Sequence, residues 1–142
     1  MVHTLTPTAD LKTDVDDVAR LLTADGERVP DADLDPWISD IDADVVRDLY
    51  RDMVLVRRID TEGIALQRQG QVGLWAPCQG QEAVQVGTAR AFRADDFVFP
   101  SYREIGVNYV RGARPADFTR AWRGAAHSSF NPYAVNTAVP QI

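Results

Sequence analysis

The sequence predicts a mostly helical chain, with about four helices and one short strand. Three observations carry this. Apolar residues recur at helical spacing at Val46, Leu49, Met53 and Val56, which puts them on one face of a 3.6-residue turn. One short apolar run, Phe97-Val98-Phe99, ends at Pro100 as a buried strand would. Glycine and proline break up the remainder at Gly70, Pro77, Gly112 and Pro115. One strand cannot make a sheet, because its backbone donors and acceptors need a second strand. The chain is therefore either a small helical module or the front of an α/β domain whose sheet lies further on.

A length of 142 residues suggests one domain plus a tail, and 45% hydrophobic content is ample for a core. The net charge of −6 argues against nucleic-acid binding, so any anionic ligand must meet a local basic site. Cys78 is the single cysteine and excludes an intrachain disulfide, which fits a reducing cytoplasm. No run of about 18 apolar residues exists to span a membrane. The first residues, MVHTLTPTADLKTDVDD, lack a basic-then-apolar secretory pattern. A cytoplasmic chain with no membrane or nucleic-acid partner is the expectation.

Residues 1–36 read as an acidic, partly ordered tail. Val15, Val18, Leu21 and Leu22 could line one face of a short helix, Ala24-Asp25-Gly26-Glu27 is a turn signal, and Val29-Pro30 is extended. Plain disorder is the competing reading. Residues 37–142 form the second region. Asp42 is a candidate N-cap for a helix from Ala43 to about Gln69, ended by Gly70. Tyr50 and Val54 widen its apolar face. Arg47, Arg51, Arg57 and Arg58 alternate with Asp48, Asp52, Asp60 and Glu62, which reads as a solvated face.

Gln71 to Trp75 is a turn or short extended piece, and Ala76-Pro77 disfavours helix. A second helix begins near Gly80, where Gln81 and Glu82 could cap neighbouring N–H groups. Ala83 and Gly87 give it a small-residue face. The strand at 97–99 follows, then a loop, Pro100-Ser101-Tyr102-Arg103. A third helix carries Ile105, Tyr109 and Val110 and stops at Gly112. Pro115 suits the first turn of a fourth, with Phe118 and Trp122 facing a core and Gly124 at its end. Residues 125–142 are loop-like, with an extended or apolar element starting at Thr137.

The candidate site is Tyr102 and Arg103. The first N–H groups of a helix lack intrahelical partners and attract phosphate. A guanidinium there adds a planar, permanently charged fork that fits phosphate oxygens. Glu104 is close enough to compete for it, and a surface ion pair is the plainer reading. His127 beside Ser128 and Ser129 does not make a nucleophilic site without an orienting acid and an oxyanion site. Two distant histidines and one cysteine do not make a zinc pattern. Neither a G-x-G-x-x-G nor a GK[ST] motif occurs.

Four segments together carry a resemblance: Leu49–Asp60 (LYRDMVLVRRID), Leu66–Gly87 (LQRQGQVGLWAPCQGQEAVQVG), Asp95–Gly112 (DDFVFPSYREIGVNYVRG) and Val135–Ile142 (VNTAVPQI). They resemble the alpha subunit of the thiamine-diphosphate-dependent 2-oxo acid dehydrogenases, of pyruvate or branched-chain type. The resemblance implies an α/β thiamine-diphosphate-binding fold whose sheet-forming part is missing here. It implies oxidative decarboxylation of a 2-oxo acid with acyl transfer to a lipoyl group. Tyr102 and Arg103 take the place of the family's diphosphate contacts. Some pyruvate-type relatives have a histidine where Ala76 stands, and Ile105 receives no catalytic role, so no catalytic residue is assigned to this chain. Implied partners are a beta subunit, in an assembly of two alpha and two beta chains, and a lipoyl-bearing acyltransferase. The family's Mg²⁺ site, a Gly-Asp-Gly motif followed by Asn, is absent from this sequence. The expectation is the N-terminal part of a subunit, inactive alone, leaning to pyruvate. The alternatives are a non-catalytic helical docking module and a truncated remnant.

Overall fold

The computed structural model describes residues 19–123. The chain divides into two compact units, Met1–Asp42 and Ala43–Ile142. In the first, the expected turn is present. Gly26 adopts φ +84°, Leu22 pairs across it with Arg28, and Thr23 Oγ1 accepts the Glu27 N–H at 3.0 Å. Leu21 and Leu22 therefore belong to this turn and not to a helix. Val15 and Val18 lie outside the described residues. A 3₁₀ turn, Asp35–Trp37, follows, and Asp35 pairs with Arg28.

The second unit opens with α1, Ala43–Arg68, at 26 residues. Its end has a physical cause. Gly70 takes φ +69°, and the N–H groups of Gly70 and Gln71 turn back to the carbonyls of Gln67 and Leu66, both at 2.9 Å. This is a Schellman closure, which favours glycine at the left-handed position. The three remaining helices are α2 (Glu82–Ala91), α3 (Ile105–Val110) and α4 (Pro115–Trp122). Gly112, at φ +101°, closes α3 in the same way. Gly124 lies outside the described residues, as do residues 125–142.

Helix α2 packs against α1 and α3. The core has two parts. One is Val56, Cys78 and Val86, with Leu49 and Met53 half-buried against them. The other gathers Val72, Trp75, Ile105, Phe118 and Trp122. Trp75 and Trp122 meet at 5.1 Å between ring centroids, tilted by 54°, a favourable aromatic geometry. The expected core role of Phe118 and Trp122 holds.

Three expectations are corrected. First, the described residues contain no strand. The 97–99 segment is extended, but Phe97 and Val98 are only half-buried and Phe99 is 81% exposed. Val98 forms only an isolated bridge, and no ladder builds on it among the described residues. Second, the apolar face of α1 is narrower than its sequence suggests. Val46, Tyr50 and Val54 stay exposed, because no described element covers that side. Third, the charged rows are not all solvated. Asp52 and Asp60 are buried, because they share the turn spacing of Val56 and Gly63 and so face inward with them.

Candidate functional site

The corner between α2, α3 and the 75–80 loop is where Tyr102 and Arg103 sit. Their side chains stay together. The Arg103 guanidinium carbon lies 5.3 Å from the centroid of the Tyr102 ring, within cation–π range. Arg103 Nη1 donates to the carbonyl of Pro77 at 2.6 Å. Among the described residues that is the only acceptor on the guanidinium, so the rest of the fork is uncommitted. Tyr102 is half exposed, and none of those residues takes its hydroxyl.

The helix start differs from the expectation of free N–H groups. Helix α3 has only six residues. The Gly106 N–H is buried and donates to Gln85 Oε1 at 2.8 Å. The Arg103 N–H is directed to Glu104 Oε2 at 3.2 Å, which also receives Ser101 Oγ at 2.9 Å. A side chain from α2 thus fills the place reserved for an anion, because the helix packs directly on α2. Glu104 does not compete for the guanidinium; it braces the loop. Whatever anion this corner accepts must be met by Arg103 and Tyr102.

Behind the corner lies a buried carboxylate. Asp60, fully enclosed, accepts the Trp75 indole N–H at 2.8 Å and the Cys78 N–H at 3.1 Å on the same oxygen. These two bonds shape the loop that presents Pro77 O to Arg103. The other oxygen, Oδ2, has no partner among the described residues. Burial first, and the Asp60 charge second, push the Cys78 thiol up to about 12. It is a packed, inert thiol. Ala76, also buried, contributes a methyl to the core.

Glu82 carries the capping role expected at the start of α2. Its Oε2 accepts the Gly80 N–H at 2.9 Å, and its Oε1 pairs with Arg57. The hydrogen bond from Arg57 is the main cause that holds this carboxyl down to about 2. On the far side of α2, Arg90 Nε donates to the buried Asp52 at 3.0 Å. No cluster of three or more His, Cys, Asp or Glu side chains able to hold a metal occurs among the described residues. No helix among them is long and apolar enough to cross a membrane. His127, Ser128 and Ser129 lie outside them.

Two residues that shape the corner were not legible as such. Asp60 had a signal: it interrupts the apolar spacing of Val56 and Ile64, where a charge must be buried or the helix rotated. Gln85 had none, since a single polar residue before Val86 looks like any solvent-facing position.

Comparison with known proteins finds that residues 50–136 match the family model described as dehydrogenase E1 component. A 3-methyl-2-oxobutanoate dehydrogenase subunit alpha of Mycobacterium tuberculosis is 50% identical over 88 residues, covering 62% of this chain and 24% of the relative. A pyruvate dehydrogenase E1 component subunit alpha of Bacillus cereus is 36% identical over 123 residues, 87% of this chain and 32% of the relative. The corresponding Bacillus subtilis protein is 35% identical over the same length. The chain thus spans about a quarter to a third of the length of these relatives. Identity does not favour the pyruvate type over the branched-chain type.

Proposed function

This chain belongs to the dehydrogenase E1 component family, and from that premise we propose that its corner at Tyr102 and Arg103 holds the diphosphate of thiamine diphosphate. The observation that carries this is the state of Arg103. One edge of its guanidinium is tied down by Pro77 O, its face is backed by Tyr102, and the remaining donors are uncommitted among the described residues. Such a fork suits phosphate oxygens in a bidentate way. The phenol of Tyr102 adds a neutral donor beside it.

The proposed activity is that of an alpha subunit in a 2-oxo acid dehydrogenase: oxidative decarboxylation of a branched-chain 2-oxo acid or pyruvate, with acyl transfer to lipoyl. When bound, the cofactor supplies the carbanion stabilisation that decarboxylation needs. The residues of this chain bind and orient it. Arg103 offsets the diphosphate charge, and Tyr102 donates a proton in a hydrogen bond without releasing it. The described residues do not fit a Mg²⁺ site, and none is assigned to the metal. A beta subunit and a lipoyl-bearing acyltransferase are the proposed partners. The exposed Tyr50, Val54, Val84 and Phe99 favour a protein partner of this kind. They also favour the second reading, a helical docking module that binds no cofactor.

Thermal melting separates the two. Thiamine diphosphate with Mg²⁺ is expected to raise the midpoint of the wild-type chain, since a ligand of the native state stabilises it. Arg103→Ala is expected to abolish that rise. A wild-type chain that docks a beta subunit but shows no rise, alone or docked, would leave only the docking module. For the activity itself, the chain mixed with a beta subunit is expected to reduce a dye acceptor with 2-oxo acid, cofactor and Mg²⁺. No reduction by an assembled, cofactor-bound complex would contradict it.

A further inference from the structure

We propose that Gln85 is a positioning residue for the diphosphate corner: from α2 it fixes the backbone on both sides of Glu104 and so sets where the Arg103 guanidinium stands. This deepens the proposed cofactor reading and rests on it. The amide is buried, and both of its ends are used. Oε1 accepts the Gly106 N–H at 2.8 Å, and Nε2 donates to the Arg103 carbonyl at 3.1 Å. A second Nε2 contact reaches Gln81 Oε1 at 3.2 Å, which holds the amide in its orientation.

The geometry is specific. One side chain joins the carbonyl of the arginine to an N–H three residues later, from a helix that lies elsewhere in the sequence. The two anchor points bracket the residues that carry the chain from loop to helix. Gly106 must approach Gln85 closely for this: a Cβ there would lie 2.9 Å from Oε1 and 3.0 Å from the Gln85 Cβ. Arg103 is thus held at two places, its backbone by Gln85 and its guanidinium by Pro77 O. A guanidinium so pre-set loses little freedom when it meets a phosphate. Gln85 touches no ligand itself; its effect passes through Arg103.

The plain alternative is a helix cap that only stabilises the fold. A double-mutant cycle distinguishes the two. Inorganic diphosphate is titrated calorimetrically into the full chain as wild type, Gln85→Met, Arg103→Ala and the double variant, with thiamine as a ligand lacking phosphate. Methionine keeps the length of the side chain and removes its hydrogen bonds. Gln85→Met is expected to weaken diphosphate about tenfold and to leave thiamine unchanged. In that background the further loss from Arg103→Ala is expected to shrink to less than about threefold, because a misplaced guanidinium has little left to contribute. If Gln85→Met melts below the assay temperature, Gln85→Glu reads the same contact. It keeps the acceptor for Gly106 and sets a carboxylate against the Arg103 carbonyl, and the same tenfold loss is expected. Wild-type diphosphate affinity in the folded Gln85 variant, alongside a clear loss in Arg103→Ala, would overturn the role of Gln85 and keep the corner. Purely additive losses would make Gln85 a cap and overturn it too. An Arg103→Ala chain that binds diphosphate like wild type would instead remove the corner itself.

Discussion

Gly63→Ala is a substitution in which two opposing effects have known sizes. Gly63 lies inside α1, where alanine is favoured over glycine by about 1 kcal/mol. Yet a Cβ at this position would lie 2.0, 2.2 and 2.3 Å from the Cε2, Cζ2 and Cδ2 atoms of Trp75. Carbon atoms sit comfortably at about 3.5 Å or more, so the indole must move by more than about 1 Å. Moving it breaks contacts already made. Trp75 is 3% exposed, packed on Trp122 and bonded through its N–H to Asp60 at 2.8 Å. Overpacking costs about 1–3 kcal/mol. Leaving the buried indole N–H without its Asp60 acceptor adds about 1–3 kcal/mol. After subtracting the propensity gain, the substitution is expected to destabilise by about 1–5 kcal/mol. Urea unfolding followed by far-UV circular dichroism measures it. Gly87→Ala is the control, since its Cβ meets nothing within 4 Å, and it is expected to gain up to about 1 kcal/mol. Equal or higher stability for Gly63→Ala would show that the Trp75 contact does not constrain the helix.

Further expectations come from the buried groups. Glu82 is held from 4.5 down to about 2, below its unfolded value. Its contribution is therefore present above the unfolded value and is lost as pH falls from 4.5 through about 2. Arg57 is 54% exposed, so solvent screening reduces the contribution to about 1–2 kcal/mol. Glu82→Gln is expected to flatten that part of the stability profile, and an unchanged slope in acid denaturation would contradict it. Cys78, buried with its thiol pushed up to about 12, is expected to resist a disulfide reagent at mildly alkaline pH and to react once urea unfolds the chain. Rapid native labelling would contradict its burial. Asp60→Ala leaves the Trp75 and Cys78 N–H groups without their acceptor and is expected to cost about 2–4 kcal/mol in urea unfolding. A loss below about 0.5 kcal/mol, the size of a surface substitution, would contradict the clamp.

The helices were legible because their signals are local. Gly70 and Gly112 end α1 and α3 where a left-handed residue is needed, and Pro115 starts α4 where a missing N–H costs nothing. The apolar spacing of Leu49, Met53 and Val56 faces the core as expected. What failed depends on elements that meet in space. A short apolar run such as Phe97-Val98-Phe99 becomes a strand only if a partner ladder exists, and none is present among the described residues. Asp52 and Asp60 looked solvated because charge normally is, but Arg90 and the N–H groups of Trp75 and Cys78 make burial possible. At the corner, Tyr102 and Arg103 were readable as a pair. Gln85, which occupies the helix start in place of an anion, comes from α2 and leaves no trace in local spacing.

The most direct measurement is phosphorus NMR of inorganic diphosphate mixed with the wild-type chain and with Arg103→Ala. The wild-type chain is expected to shift and broaden the diphosphate resonances in a saturable way, and the variant to leave them as in buffer. Equal, saturable shifts with the wild-type and Arg103→Ala chains would place the anion elsewhere. No shift with the wild-type chain would show that the corner does not hold diphosphate.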